Sequence, residues 1–348
     1  MRSRRRSCFR KRSMRCAESS IAAGALLVLA LAGCGPDSVR CGVERGDGAQ
    51  IVTIPTGSSF ASAVDSLART GVVKNSRLFR LYAKMRGRER ALKAGVYLFD
   101  CDLVEWTEVL QRLETGPIER EITIPEGFAL AEIIPLLAKT LGTIPDSVRA
   151  AVRDTAVLHA LNVPTPTLEG YLFPDTYRFN VLSSPRDAVR QMVRRFEAKW
   201  DAAWDAQLQK LAMSRHDIIT LASIIEKEAR LPEERPVISA VYHNRLRDQM
   251  PLQADPTVQY ARGQHTERVL YKDLEINSPY NTYRNKGLPP GPIASPGRAS
   301  VEAALFPADV PYKFFVAHPD GHHEFRRTFK EHTDAIREVR GRAQPRRD

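Results

Sequence analysis

"IVTIPTGSSFASAVDSLARTG", residues 51–71, decides how the chain is read. Val52–Ile54 is a β-branched run and predicts a short strand. Pro55 and Gly57 break it. Ser58 or Ser59 is placed to cap a helix in which Phe60, Val64 and Leu67 recur at i, i+4 and i+7. Gly71 ends that helix. The phrase returns seventy residues on, where Thr53-Ile54-Pro55-Thr56-Gly57 is answered by Thr123-Ile124-Pro125-Glu126-Gly127. Two copies are too few for a solenoid, so this is a strand–turn–helix unit used twice. Pro135, inside the second helical pattern, predicts a late start or a kink there.

Outward from the first copy, Ser76 is placed to cap a second helix to about Met85, and Gly95–Phe99 returns as a strand. The order βααβ resembles the LysM glycan-binding module. After about Thr165, "LEGYLFPDTYRF" (168–179) is aromatic and irregular, broken by Gly170 and Pro174. One helix is expected from about Pro185 to Lys210. Ser214, with Asp217 at its third position, opens another that runs to Ala229 as a capping box. A further helix, about Glu233–Leu246, holds Pro236 in its first turn, where proline is tolerated. Residues 250–298 read as a long loop, and loops of that length are usually functional. Its Tyr260, Tyr271, Tyr280, Tyr283, Asn277, Asn281 and Asn285 suit stacking on sugar rings and bonding their hydroxyls, or holding the loop itself. Ser300 opens a helix, 312–317 and 323–328 read as strands, and Thr328 with Glu331 starts the last helix. The class is α+β.

Hydrophobic residues make up 43% of the chain and charged ones 27%, the balance of a globular protein. The formal charge of +11 is concentrated: residues 1–33 hold eight Arg/Lys against one acidic residue, leaving the other 315 at +4. No basic stripe is interleaved with aromatics, so nucleic acid is not an expected partner. The leader has a basic start and an uncharged run, Ile21–Gly33, of 13 residues. As a helix this reaches roughly 20 Å, short of a bilayer core of about 30 Å. It reads as an export segment, and Leu31-Ala32-Gly33-Cys34 resembles a lipobox with Cys34 as the lipidated residue. Of the five cysteines, Cys41 and Cys101 remain as a pair that an oxidising envelope would allow to join. No spacing marks a zinc site. His318, His322 and His323 flank a turn and lack a fourth ligand. No cofactor is expected.

"LASIIEKEARLPEERP" (221–236) carries the candidate chemistry. On a helical wheel Ile218, Leu221, Ala222, Ile225 and Ala229 make one apolar face. Lys227 points away from it, and Glu226 and Glu228 fall on opposite flanks. Both are boundary residues, and they cannot both enter one cleft. A glutamate serving as general acid needs its proton near neutral pH, which apolar neighbours supply by desolvation.

Six blocks then carry a resemblance: "LEGYLFPDTY" (168–177), "LASIIEKEA" (221–229), "VYHNRL" (241–246), "MPLQADPTVQYA" (250–261), "SPYNTYRNKGLPPGPIASPG" (278–297), and "FFVA" (314–317) with "GHHEF" (321–325). With "TIPxG" and "LKAGVY" (92–97) the chain resembles, in order over about 50–335, the endolytic murein transglycosylase family (MltG/YceG-like). The resemblance implies cleavage of the β-1,4 bond between N-acetylmuramic acid and N-acetylglucosamine in peptidoglycan, without water, leaving a 1,6-anhydro-muramyl end and terminating growing strands. It matches the catalytic glutamate to Glu226. One carboxyl would act as acid and then as base, and no carboxylate pair is required because the nucleophile is the substrate's own C6 hydroxyl.

The implied organisation is an export signal or anchor (1–34), a linker (35–50), a LysM-like module (51–118), a second strand–turn–helix lobe (119–164) and a catalytic domain (165–340). The two TIPxG units could then be two glycan-contacting lobes. Candidate substrate contacts are Glu169, Tyr171, Tyr177, Asn244, Gln253, Asp255, Thr257, Tyr280, Asn281 and Thr282, with Asp255 also placed to steady an oxocarbenium-like centre. Expected partners are peptidoglycan strands, a membrane through the N-terminus and peptidoglycan synthases. The expected location is the inner membrane with the body in the periplasm, the alternative being a lipid-anchored lipoprotein in the inner or the outer membrane. The competing readings are a non-catalytic peptidoglycan scaffold and a hydrolytic muramidase. A pyridoxal-phosphate lyase is disfavoured, since Lys227 points outward and no glycine loop cradles a phosphate.

Overall fold

The computed structural model describes residues 49–89, 92–100, 105–263 and 270–343. The leader with Cys34, most of the linker, Cys41 and Cys101 lie outside the described residues. β1 (Ala49–Ile54) begins two residues before the expected linker boundary. It is followed by α1 (Phe60–Arg69), α2 (Ser76–Met85) and β2 (Gly95–Asp100). β1 and β2 pair antiparallel, Val52 opposite Tyr97. Val52, Ile54, Val64, Leu67, Phe79, Tyr97 and Phe99 are buried together. α3 (Trp106–Thr115), which the sequence reading did not foresee, closes this core with Val109, Leu110 and Leu113. Ser59 rather than Ser58 caps α1, its hydroxyl accepting the Ser62 N–H at 3.1 Å. Asn75, not Ser76, caps α2, because its carboxamide oxygen accepts the Leu78 N–H at 3.1 Å.

The second strand–turn–helix unit joins a different, larger core. β3 (Glu119–Thr123) is followed by α4 (Leu130–Leu141), α5 (Pro145–Ala151) and α6 (Thr155–Ala160). β3 pairs antiparallel with β4 (Thr176–Asn180), Ile122 opposite Tyr177. The aromatic block 168–179, expected to be irregular, therefore ends in a strand. α4 does not start late. It runs through Pro135, with Leu130, Ile133, Ile134, Leu137 and Ala138 buried, so packing of a full apolar face outweighs one missing hydrogen bond. The two cores are stitched together by Ile118 N–H to the Val96 carbonyl at 2.7 Å and by the Asn180 amide to the Ala94 carbonyl at 3.0 Å.

The expected helix over 185–210 is two: α7 (Pro185–Lys199) and α8 (Trp204–Leu211). Trp200 is extended, and the Asp201 carboxylate accepts the Ala203 N–H at 2.9 Å, a local bond that competes with helix continuation. α9 (Arg215–Glu228) has the expected Ser214/Asp217 capping box. Ile218, Ile219, Leu221, Ala222, Ile224 and Ile225 are all fully buried, so α9 is a central helix surrounded by others rather than a one-faced amphipathic one. Around it stand α10 (Arg235–Arg247), α11 (Asp255–Arg262) and α12 (Arg298–Leu305).

β5 (Phe314–Ala317) and β6 (His323–Arg326) form a hairpin that precedes α13 (Phe329–Ala343). The region 250–298 is not structureless, since it contains α11 and a 3-10 turn over Tyr271–Glu275. The whole is α+β with two-stranded antiparallel sheets. Among the described residues no helix is long and apolar enough to cross a membrane.

Candidate active site

The last turn of α9 emerges from the core between buried Ile225 and exposed Lys227. The Glu226 side chain between them is 7% exposed. Its Oε2 accepts the Gly297 N–H at 2.9 Å, and its Oε1 lies 3.5 Å from the Arg235 guanidinium. Arg235, in the first turn of α10, is steadied by the buried Ser300 hydroxyl at 3.1 Å. Gly297 is the N-cap of α12, so the carboxylate faces the positive end of that helix. The expected surroundings of Ile and Ala are thus corrected: these side chains wall the helix behind Glu226, but its oxygens meet an N–H and a guanidinium.

The turn between β3 and α4 makes the third wall. Gly127 N–H bonds the Ser295 carbonyl and Ser295 N–H bonds the Phe128 carbonyl, both at 2.8 Å. Lys227 Nζ donates to the Gly127 carbonyl at 3.2 Å. Glu126, in the same turn, turns its carboxyl against Gly297: a Cβ added at 297 would stand 2.0 Å from Glu126 Oε1. Partial burial first, then the negative charge of Glu226, raise the Glu126 carboxyl above the ordinary range, and Arg235 pulls it back.

Glu228 occupies other surroundings, as the wheel requires. Its carboxyl accepts the Tyr242 hydroxyl at 3.0 Å. Burial pushes it up to about 7, with the Asp255 charge adding and Arg245 opposing. Glu228 is thus buried against a phenol, while Glu226, also largely buried, sits in a polar frame.

A cavity of about 540 Å³ opens beside this site, lined by Lys227, Glu169, Tyr260, Leu130, Arg153 and Ile293. A larger cleft, about 1,050 Å³, lies between His216, His243, Leu288 and Val310 and does not touch Glu226. The smaller space reaches Lys227, the residue after Glu226, which makes it the candidate approach for a substrate.

The other sequence candidates fall into three groups. Glu169 lines the smaller cavity. It is buried, accepts the Leu130 N–H at 3.0 Å and the Tyr260 hydroxyl at 3.2 Å, and is pushed up to about 7 by burial. Tyr280 packs on Tyr260 at 4.9 Å between ring centres. Gln253 and Asp255 are exposed. Asp255 accepts the Tyr283 hydroxyl at 2.5 Å and stands in the Glu228 neighbourhood, away from the Glu226 frame.

The rest are built into the framework. The Tyr171 hydroxyl meets His216 Nδ1 at 2.8 Å, and that of Tyr177 donates to the Phe173 carbonyl at 2.5 Å. Asn244 donates to the Val310 and Tyr312 carbonyls at 2.9 and 2.8 Å. Asn281 spends its amide on the Leu274 and Ile276 carbonyls, and Thr257 and Thr282 share a hydroxyl pair at 2.9 Å. All six are buried, and these partners satisfy their polar atoms internally. His318, His322 and His323 each rest on a carboxylate, His318 on Glu324, His322 on Asp320 and His323 on Glu234.

Glu126, Arg235 and Gly297 were not singled out from the sequence. The available signal was the one position inside the repeated phrase where the copies differ in charge, Thr56 against Glu126.

The profile of the YceG-like family matches residues 52–338. A Bacillus subtilis protein named endolytic murein transglycosylase is 36% identical over 300 residues, 82% of this chain and 83% of its own length. A Streptococcus pneumoniae protein of the same name is 28% identical over 298 residues, 76% of this chain but 54% of the longer relative. A crystal structure of a YceG-like protein from Listeria monocytogenes superposes with a TM-score of 0.58 at 33% identity, covering 83% of this chain and 100% of that one.

Proposed function

The chain belongs to the YceG-like family, and from that premise we propose that it works as an endolytic murein transglycosylase, a lyase of peptidoglycan glycan strands, with Glu226 as its acid and base. The observation that carries the assignment of Glu226 is its carboxylate. It is fixed at the end of α9 by the Gly297 N–H at 2.9 Å and by Arg235 at 3.5 Å, next to Lys227, which lines an open cavity. A carboxyl held by two partners on two other helices has its position and orientation set before substrate arrives.

In the proposed cycle, protonated Glu226 gives its proton to the glycosidic oxygen as the C1–O bond breaks. The resulting carboxylate takes the proton of the muramyl C6 hydroxyl, whose oxygen closes on C1. The products are a free 4-hydroxyl on the leaving sugar and a 1,6-anhydro-muramyl end. One group serves twice and is restored. Glu169 and Tyr260, on the cavity wall, are the proposed contacts for the sugar rings, with Tyr280 behind them.

The finer features extend the proposal. Residues 51–118 form a LysM-like glycan-binding module, supported by the βααβ order and their own buried core. Residues 119–164 make a second lobe and 165–340 the catalytic domain. The N-terminal segment anchors the body on the periplasmic side of the inner membrane, by an apolar segment or a lipid on Cys34. There the enzyme ends growing strands beside the synthases that make them.

Digestion of purified glycan strands by the full chain tests the core of this reading. Wild type should release fragments ending in anhydro-muramyl, lighter by one water than hydrolytic ones, and Glu226→Gln should release none. Undiminished cutting by Glu226→Gln would remove Glu226 from the chemistry. Water-containing ends would make the enzyme a muramidase.

A further inference from the structure

Two carboxylates, not one, meet at the end of α9. The turn carrying Glu126 is bolted to the segment before α12 by the paired Gly127–Ser295 and Ser295–Phe128 backbone bonds, both 2.8 Å. This fixes Glu126 over Gly297, whose N–H holds Glu226 at 2.9 Å. There is no room for a side chain between them, since a Cβ at 297 would fall 2.0 Å from one Glu126 oxygen. Resting on the reading of Glu226 as the catalytic group, we propose that Glu126 is the second carboxylate of the site, a positioning residue that sets the charge and orientation of the Glu226 carboxyl through the shared Gly297–Arg235 frame.

Like charges this close cannot both ionise freely, and one guanidinium serves both. Arg235 from α10 is that cation; its interactions reach Glu226 directly and Glu126 through space. The other charged groups around the site are engaged elsewhere. Lys227 of α9 points its ammonium at the Gly127 carbonyl. Arg298 of α12 is paired with Glu302 and lies over Trp204. Glu132 of α4 caps the Ala129 N–H. Burial and the Glu226 charge push the Glu126 carboxyl upward and Arg235 pulls it back, so a change of charge at one carboxyl is felt at the other.

The residue at 126 is exposed as a whole, so the coupling is screened and modest. The test is the pH–rate profile of the full chain on purified glycan strands. Glu126→Gln should move the alkaline limb to lower pH by about half a unit, a roughly three-fold loss on that side, with less movement in high salt. KM should be unchanged. Arg235→Gln should move the limb the opposite way, and Glu126→Asp, which keeps the charge, should restore it.

A Glu126→Gln limb that stays in place, or a loss equal at every pH that Glu126→Asp does not relieve, overturns the proposal. Should Glu126→Gln fail to fold, Glu126→Ser, which also removes the charge, carries the same test. Glu226→Gln in the same series keeps the two readings apart: activity there sinks the catalytic assignment, whereas its inactivity beside an unmoved Glu126→Gln limb sinks only the role of Glu126.

Discussion

The turn after β1 and the turn after β3 share four of five residues, Thr-Ile-Pro-x-Gly, yet serve different ends. Ile54 and Ile124, each 1% exposed, anchor their strands in a core. Gly57 and Gly127 take the same left-handed conformation, φ +79° and +76°, which glycine adopts without penalty. There the likeness stops. Gly57 is exposed with nothing within 4 Å of a would-be Cβ, whereas Gly127 is buried with Glu226 Cγ and Lys227 Cδ at 3.6 Å. The helices that follow are capped differently too. Ser59 caps α1 from within its own turn, and α4 receives Glu169 from 39 residues away. A local code thus builds both units, and what the second packs against turns one of them into the wall of a site.

The anchors should be alike if the scaffold half of the comparison holds. Removing the buried side-chain atoms of Ile54 or Ile124 by substitution with Ala should cost about 2–5 kcal/mol each. Chemical unfolding of the two variants measures this. Ile54→Ala should loosen the core of Val52, Phe79 and Tyr97, and Ile124→Ala the core shared with α9. A negligible cost at either position would break the equivalence.

The equivalence was legible because it is local. A strand of β-branched residues, a proline–glycine break and an i, i+4, i+7 stripe all lie within twenty residues of each other, as does the Ser214–Asp217 box. What could not be read depends on partners far along the chain. Arg235 and Gly297 meet Glu226 only because α10 and α12 pack on α9. Asn281 and Thr282 have the chemistry of sugar contacts, but asparagine and threonine in turns equally serve their own backbone, and here they do. Trp200 ends α7 through a single aspartate that a periodicity window passes over. The charge at position 126 was visible, yet its meaning required knowing where the turn lands.

The caps differ in a way that pH exposes. The Glu169 carboxyl has a folded value of about 7 against 4.5 for the free group. The folded state therefore holds the proton more tightly than the unfolded one between those values. Its contribution to stability is fully present below pH 4.5 and is lost as pH rises through about 7. Glu228, also near 7, acts with the same sign. The full shift corresponds to at most about 3 kcal/mol per group. Glu169→Gln keeps an acceptor for the Leu130 N–H but cannot ionise, so it should flatten the fall in stability between about pH 5 and about pH 8 by up to half. The Ser59 cap has no such group, and Ser59→Ala should lower stability without changing its pH dependence. Equal slopes for wild type and Glu169→Gln would show that the distant cap is not held by a buried carboxyl.

The smallest effect separates the turns most cleanly. Alanine at either glycine must take a left-handed conformation, at about 1–2 kcal/mol. Because φ is nearly the same, the stability losses of Gly57→Ala and Gly127→Ala should agree within about 0.5 kcal/mol. Their activities should not agree. At 57 the new methyl meets solvent, and strand cutting per folded molecule should equal wild type. At 127 the methyl itself meets Glu226 Cγ and Lys227 Cδ at ordinary contact distance, so the effect comes from the strained backbone, whose N–H holds Ser295 two residues before the Gly297 N–H that bonds Glu226. The turnover number should drop several-fold while KM holds, since an off-position acid costs rate rather than binding. If Gly57→Ala lost as much turnover as Gly127→Ala, the first turn would belong to the site as well, and the division between scaffold copy and working copy would fail.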